Sequence, residues 1–159
     1  MLYELFEYNW QVRDEWIEWC ESLPNEELTK IRTGGMESIL YNLFHVIDCE
    51  QIWINQLQET PVIQKNMKTI TALGEIKEYS SQTKKVSESF IKKFEKSNER
   101  RLFTFTSKSG ENKQWTYDKV LYHIITHEIH HIGQISIWAR EIGIKPISSD
   151  LIFRDIEGI

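Results

Sequence analysis

The sequence predicts an all-α fold, a four-helix bundle, and three observations point to it. Four stretches of roughly twenty residues or more carry apolar residues at helical spacing. The three prolines, Pro24, Pro61 and Pro146, all fall between or after those stretches and never inside them. No repeat, low-complexity tract or linker composition divides the chain, so residues 1–159 read as one domain. Helices of this length bury their apolar faces most economically against one another.

The first helix is predicted from Leu2 to Leu23, ending at Pro24. Leu2, Leu5, Phe6, Tyr8, Val12, Trp16 and Trp19 recur mostly at helical spacing, with acids between them. Thr33-Gly34-Gly35 is a break, and a second helix follows from Met36 to Gln58. At about 100° per residue, Tyr41, His45, Cys49 and Ile52 share one face, with Leu40, Leu43, Ile47 and Ile54 opposite. A helix apolar on two sides is either central in its bundle or shared with a second subunit.

Pro61 opens a loop, and the third helix spans Ala72 to Ser97. Ile76, Tyr79, Thr83, Val86, Phe90 and Phe94 step by three and four as a packing seam. From Arg101 to Trp115 the chain alternates briefly as Phe103-Thr104-Phe105-Thr106 and turns at Ser109-Gly110. This reads as a crossover with a short hairpin. The fourth helix starts at Thr116, an N-cap residue type, and runs to Ile142. Gly143 caps it, and Pro146 prevents continuation.

The net charge of −5 argues against nucleic-acid binding, which needs clustered Lys and Arg. The segment from Lys84 to Arg101 holds seven basic residues against three glutamates, the composition of a solvated helix face. Cys20 and Cys49 are far apart and form no disulfide framework. The N-terminus has no cationic region before an apolar run, and no stretch reaches the length of a membrane span. A cytoplasmic location is therefore expected.

Four of the five histidines fall within nine residues: His123, His127, His130 and His131. Residues four apart on a helix lie one above the other, so His123, His127 and His131 form a column shared with Val120, Gln134 and Trp138. His130 sits at the flank. An i,i+4 imidazole pair can reach one cation, and a zinc-like ion wants one or two protein ligands more. His45 is the remaining histidine, midway along an apolar stretch, where burial without a partner would be costly. Three neutral histidines at one ion leave an open position, the arrangement that activates water or a thiol. His123 reads as a supporting residue. Asp48 and Cys49, at i+3 and i+4 from His45, are alternative ligands, with core packing the simpler role for Cys49.

His127-Glu128-Ile129-His130-His131 also satisfies the H-E-x-x-H pattern, in which Glu128 would act as a general base on a metal-bound water. The extended protease form needs a glycine where this chain has Gln134, and no histidine follows His131. A downstream carboxylate ligand would have to be Glu141 or Glu157. Glu128 can equally orient a histidine.

The run HIITHEIHHIGQISIWAREIGIKP resembles the last helix of the DinB/YfiT-like family, with its H-x-x-x-H pair, glycine-glutamine step and Gly-x-x-Pro-like ending. The run LYNLFHVIDCEQIWI resembles that family's second helix, which carries a lone histidine. The resemblance covers nearly the whole chain. It implies a bundle in up-down-down-up order, often a homodimer, with zinc, nickel or a similar divalent ion on His45, His127 and His131. It further implies metal-dependent transfer of low-molecular-weight thiols such as bacillithiol or mycothiol to small electrophiles.

Two readings of function follow. In the first, the protein is an enzyme, a metal-dependent transferase or hydrolase acting on a small molecule, with Glu128, Asp48 or Glu50 as a general base. In the second, the metal is structural and staples the second and fourth helices in a binding protein.

Overall fold

The computed structural model describes residues 1–97, 100–156 and 158. Residues 98 and 99 of the basic segment, and Glu157, lie outside the described residues. Among the described residues there are five α-helices and one hairpin: α1 (Leu2–Cys20), α2 (Asn25–Thr29), α3 (Ile39–Gln58), α4 (Leu73–Ser97), β1 (Leu102–Thr106), β2 (Asn112–Thr116) and α5 (Tyr117–Ile142). Mostly helical character is as the sequence predicts. The first helix stops at Cys20, short of the predicted Leu23, and the short α2 was not predicted: Pro24 is the residue before it, with extended φ −65° and ψ 149°.

Local chemistry sets the ends of the long helices. The second long helix starts at Ile39 rather than Met36, because Ser38 takes an extended conformation and its side chain accepts from the Tyr41 N–H. Thr116 caps α5 in the same way through Lys119 N–H, and Gly143 closes it with φ 84°.

α1 packs against α4 and α5, and α3 packs against the same two helices. The seam on α4 is Ile76, Tyr79, Ser80, Thr83, Ser87 and Ile91, while Val86, predicted to lie on it, is exposed.

The apolar interior falls into two clusters. One holds Val12, Trp16, Leu40, Leu43, Ile47, Tyr79, Ile135 and Trp138; the other holds Phe6, Trp10, Ile54, Ile91, Leu121 and Ile124. Along α1, α3 and α5 the stretch between them carries buried polar residues: Asn9 and Arg13, Glu50, and Glu128. Arg13 is fully buried. Its Nη2 donates to Glu50 Oε2 and Glu128 Oε2, both at 2.5 Å, and its Nε donates to Glu128 Oε1 at 2.7 Å. Asn9 Nδ2 donates to Glu128 at 3.2 Å, and Trp10 Nε1 to Glu50. Burial works against the charge on Arg13, but two carboxylates outweigh it and hold the guanidinium charged. One arginine thereby ties three helices together.

The hairpin between α4 and α5 pairs antiparallel, with Phe103 opposite Trp115 and Phe105 opposite Lys113. Its aromatic side chains close over Trp53 of α3, with ring centroids 6.1 Å away for both Phe103 and Trp115.

Candidate metal centre

α3 and α5 bring three of the five histidines to one point. Ring centroids are 4.8 Å apart for His45 and His127, 4.7 Å for His45 and His131, and 4.6 Å for His127 and His131. One ligand nitrogen from each lies within 4.8 Å of the other two. The Nε2 atoms of His45 and His127 are 3.1 Å apart. Two nitrogens at tetrahedral zinc bonds of 2.0–2.1 Å stand about 3.3 Å apart, so this pair is spaced for a shared ion.

His131 is held by a second layer of contacts. Its Nδ1 lies 2.8 Å from Gln134 Oε1, an atom that only accepts, so Nδ1 carries the proton and Nε2 keeps its lone pair for a metal. Asn42 Nδ2 donates to the same Oε1 at 3.2 Å and to the His131 carbonyl at 3.0 Å. The amide of Gln134 reaches His130 Nε2 at 3.3 Å, which leaves His130 on the exposed flank where the sequence put it.

The loop before α3 completes this layer. Met36 N–H donates to Asn42 Oδ1 at 2.8 Å. Gly35 has φ +52°, and a Cβ there would stand 2.6 Å from both Asn42 Oδ1 and Gln134 Oε1. Only glycine lets the backbone come this close.

Burial keeps the three imidazoles neutral. His127 is lowered from its ordinary 6.5 to about 4 by burial, with the neighbouring imidazoles adding to the shift. His45 is lowered by burial and by His131, against an upward pull from Asp48. His131 is lowered by burial, opposed by its bond to Gln134. Neutral imidazole is the form that binds a metal.

The remaining candidates lie outside the three-histidine cluster. Glu128, weighed as a general base, is 2 % exposed and gives both carboxylate oxygens to Arg13. Burial raises its pKa, and Arg13 opposes that rise. Glu50 is taken up by Arg13 and Trp10. Asp48 Oδ1 accepts from the Tyr79 hydroxyl at 2.6 Å and from Gln51 at 3.0 Å. Cys49 stands outside the histidine cluster, and burial pushes its thiol up to about 12. His123 is exposed, one turn from His127, with ring centroids 5.6 Å apart. Glu141 is exposed and is not part of the cluster. Among the described residues the cluster consists of three histidines with no fourth protein ligand.

Two features escaped the sequence reading. The buried Arg13 network gives no local signal, because an arginine on an amphipathic helix ordinarily faces water. Asn42 carried no signal either, whereas Gln134 had been placed on the histidine column.

A mostly helical protein with three imidazoles gathered between two helices is a protein able to hold a metal ion at an open site. The chain belongs to the DinB family, whose model matches residues 1–157. It is 40 % identical over 156 residues to the uncharacterised protein YizA of Bacillus subtilis (strain 168), a match spanning 98 % of this chain and 97 % of that one.

Proposed function

We propose that the protein is a metal-dependent enzyme acting on a small molecule, of the thiol S-transferase or hydrolase type, with bacillithiol as a candidate thiol. His45, His127 and His131 hold a divalent cation, zinc or nickel, Gln134 fixes the tautomer of His131, and Asn42 braces Gln134. The observation that carries this reading is the three-histidine cluster without a fourth protein ligand among the described residues. A bound cation supplies Lewis acidity that lowers the pKa of a thiol or water.

The base role falls to Asp48. It is half-buried, three residues from His45, and its charge is felt by that imidazole. Glu50 and Glu128 are committed to Arg13, which favours a thiol transferase over an H-E-x-x-H hydrolase.

The same reading takes residues 1–159 as one domain, a four-helix bundle in up-down-down-up order. It takes the protein to work in the cytoplasm as a homodimer, with neither nucleic acid nor membrane as partner. Among the described residues no helix is long and apolar enough to cross a membrane. Exposed Tyr122, Ile129 and Ile137 on α5 offer an apolar face to a second copy.

The test is the metal content of the purified protein, measured beside His45→Ala and His127→Ala, followed by conjugation of bacillithiol to a bimane electrophile. One tightly held ion per chain, lost in both variants along with conjugation, is expected. A protein that binds neither zinc nor nickel would overturn the reading.

A further inference from the structure

The histidine cluster is one end of a longer wall. On α3, His45, Cys49 and Trp53 follow one another at intervals of four, and on α5 so do His131, His127 and His123. His45 meets His127 and His131 at one end of these columns, and Trp53 meets His123 at the other, edge-on at 90° with centroids 6.0 Å apart. His123 thus touches both the metal cluster, through His127, and a ring of aromatics. That ring is Trp53 with Phe103, Phe105 and Trp115 of the hairpin, at 6.1, 6.3 and 6.1 Å.

Beside Trp53 and His123 lies a cavity of about 330 Å³, lined by Trp53, Trp115, Lys119, Val120 and His123. Its size suits one or two fused rings. Both tryptophans are only half-buried, so their faces stay wet unless something covers them. The one charged group in the lining is the Lys119 ammonium, which is exposed and has no carboxylate partner among the described residues. An apolar floor with a single cation at its rim selects a flat apolar body carrying one negative charge.

We propose that this cavity binds a small aromatic carboxylate, its ring lying against the wall that Trp53 and Trp115 form together, its carboxylate at Lys119, and its far edge at His123 facing the metal cluster. Resting on the reading of the histidine cluster as a metal centre, this names the class of small molecule that would be held beside that centre. His123 is a wall of the site rather than a metal ligand.

The probes are 2-naphthoate and its neutral counterpart 2-naphthylmethanol, titrated against the zinc-loaded full chain while tryptophan fluorescence is followed. Saturable binding of naphthoate in the micromolar to low-millimolar range is expected. Lys119→Glu should weaken naphthoate about tenfold and leave naphthylmethanol unchanged, because only one probe carries charge. Trp53→Ala should weaken both. Lys119 is exposed, so its variant keeps the test valid even if Trp53→Ala fails to fold. Copper(II)-loaded protein should broaden the proton resonances of bound naphthoate where zinc-loaded protein does not.

Absence of saturable binding, equal loss of both probes in Lys119→Glu, or unbroadened naphthoate on the copper protein would each overturn the proposal. A chain that binds naphthoate in this pattern but takes up neither zinc nor copper would remove the metal centre and the cavity's role beside it. Zinc uptake without naphthoate binding would remove the cavity alone.

Discussion

Nδ1 of His131 and Oε1 of Gln134 stand 2.8 Å apart, and that contact decides which ring nitrogen of His131 is free for a metal. Gln134→Ala removes the acceptor and lets the imidazole change tautomer and rotate. Metal affinity should fall about 10- to 100-fold with the fold intact. Competition against a chromophoric chelator, with circular dichroism as the control, measures this. Unchanged affinity would show that His131 needs no such support.

Gly35→Ala should disturb the same support from the other side. The new Cβ would meet Asn42 and Gln134 oxygens at 2.6 Å, on a backbone whose φ of +52° a side chain adopts with strain. A stability loss of about 1–2 kcal/mol is expected, together with weaker metal binding. Urea unfolding and the chelator competition give the two numbers. Loss of stability with metal affinity untouched would show that the loop and the histidine layer are independent.

Glu128→Gln separates the two carboxylate roles considered for this residue. Held by Arg13 and Asn9, it should matter for stability and leave metal uptake and turnover within a few-fold of wild type. General bases contribute about 10²- to 10⁴-fold. A fall of that size in kcat at unchanged KM would restore Glu128 as the base.

Acid should destabilise the metal-free protein in a defined window. His127 has a folded pKa of about 4 against 6.5 ordinarily, so between those values the unfolded chain binds a proton that the folded chain refuses. Stability is therefore unaffected by this group above about pH 6.5, falls as the pH drops toward 4, and levels off below. The lowered values of His45 and His131 act in the same direction, while the raised value of Glu128 acts oppositely. Comparing urea midpoints of wild type and His127→Gln at several pH values isolates the histidine. Parallel curves would exclude the effect.

Chelation should leave the fold standing. Two apolar clusters and the Arg13 network hold the helices without help from the histidines. Removal of metal should lower the melting temperature only by the binding free energy, with helical circular dichroism retained at 25 °C. Unfolding on chelation would mark the ion as a structural staple.

The long helices and the His127–His131 pair were legible because both signals are periodic, and His45 was reached as the one remaining histidine on an apolar stretch. Apolar residues at three and four, and histidines at four, report helix faces without any knowledge of neighbours. Helix ends were less legible, since Ser38 and Pro24 act through backbone conformations that spacing does not reveal. Val86 was misplaced because serines, polar in the sequence, fill the α4 contact. The role of Glu128 depends on Arg13, 115 positions away, and no local pattern joins the two. The aromatic wall needed the hairpin in place before Trp53 and Trp115 could be seen together.

α5 is keyed from two sides. From α1, Arg13 grips Glu128; from α3, Asn42 grips the backbone carbonyl of His131, three residues further on. A helix pinned at adjacent positions by different neighbours can neither roll nor slide without breaking one of the pins. The histidine nitrogens thus inherit their positions from a scaffold set elsewhere in the molecule. Swapping a ligand for cysteine or aspartate would change the affinity for one ion over another while the frame that presents it stays put, and the centre is a ready starting point for altering metal preference one side chain at a time.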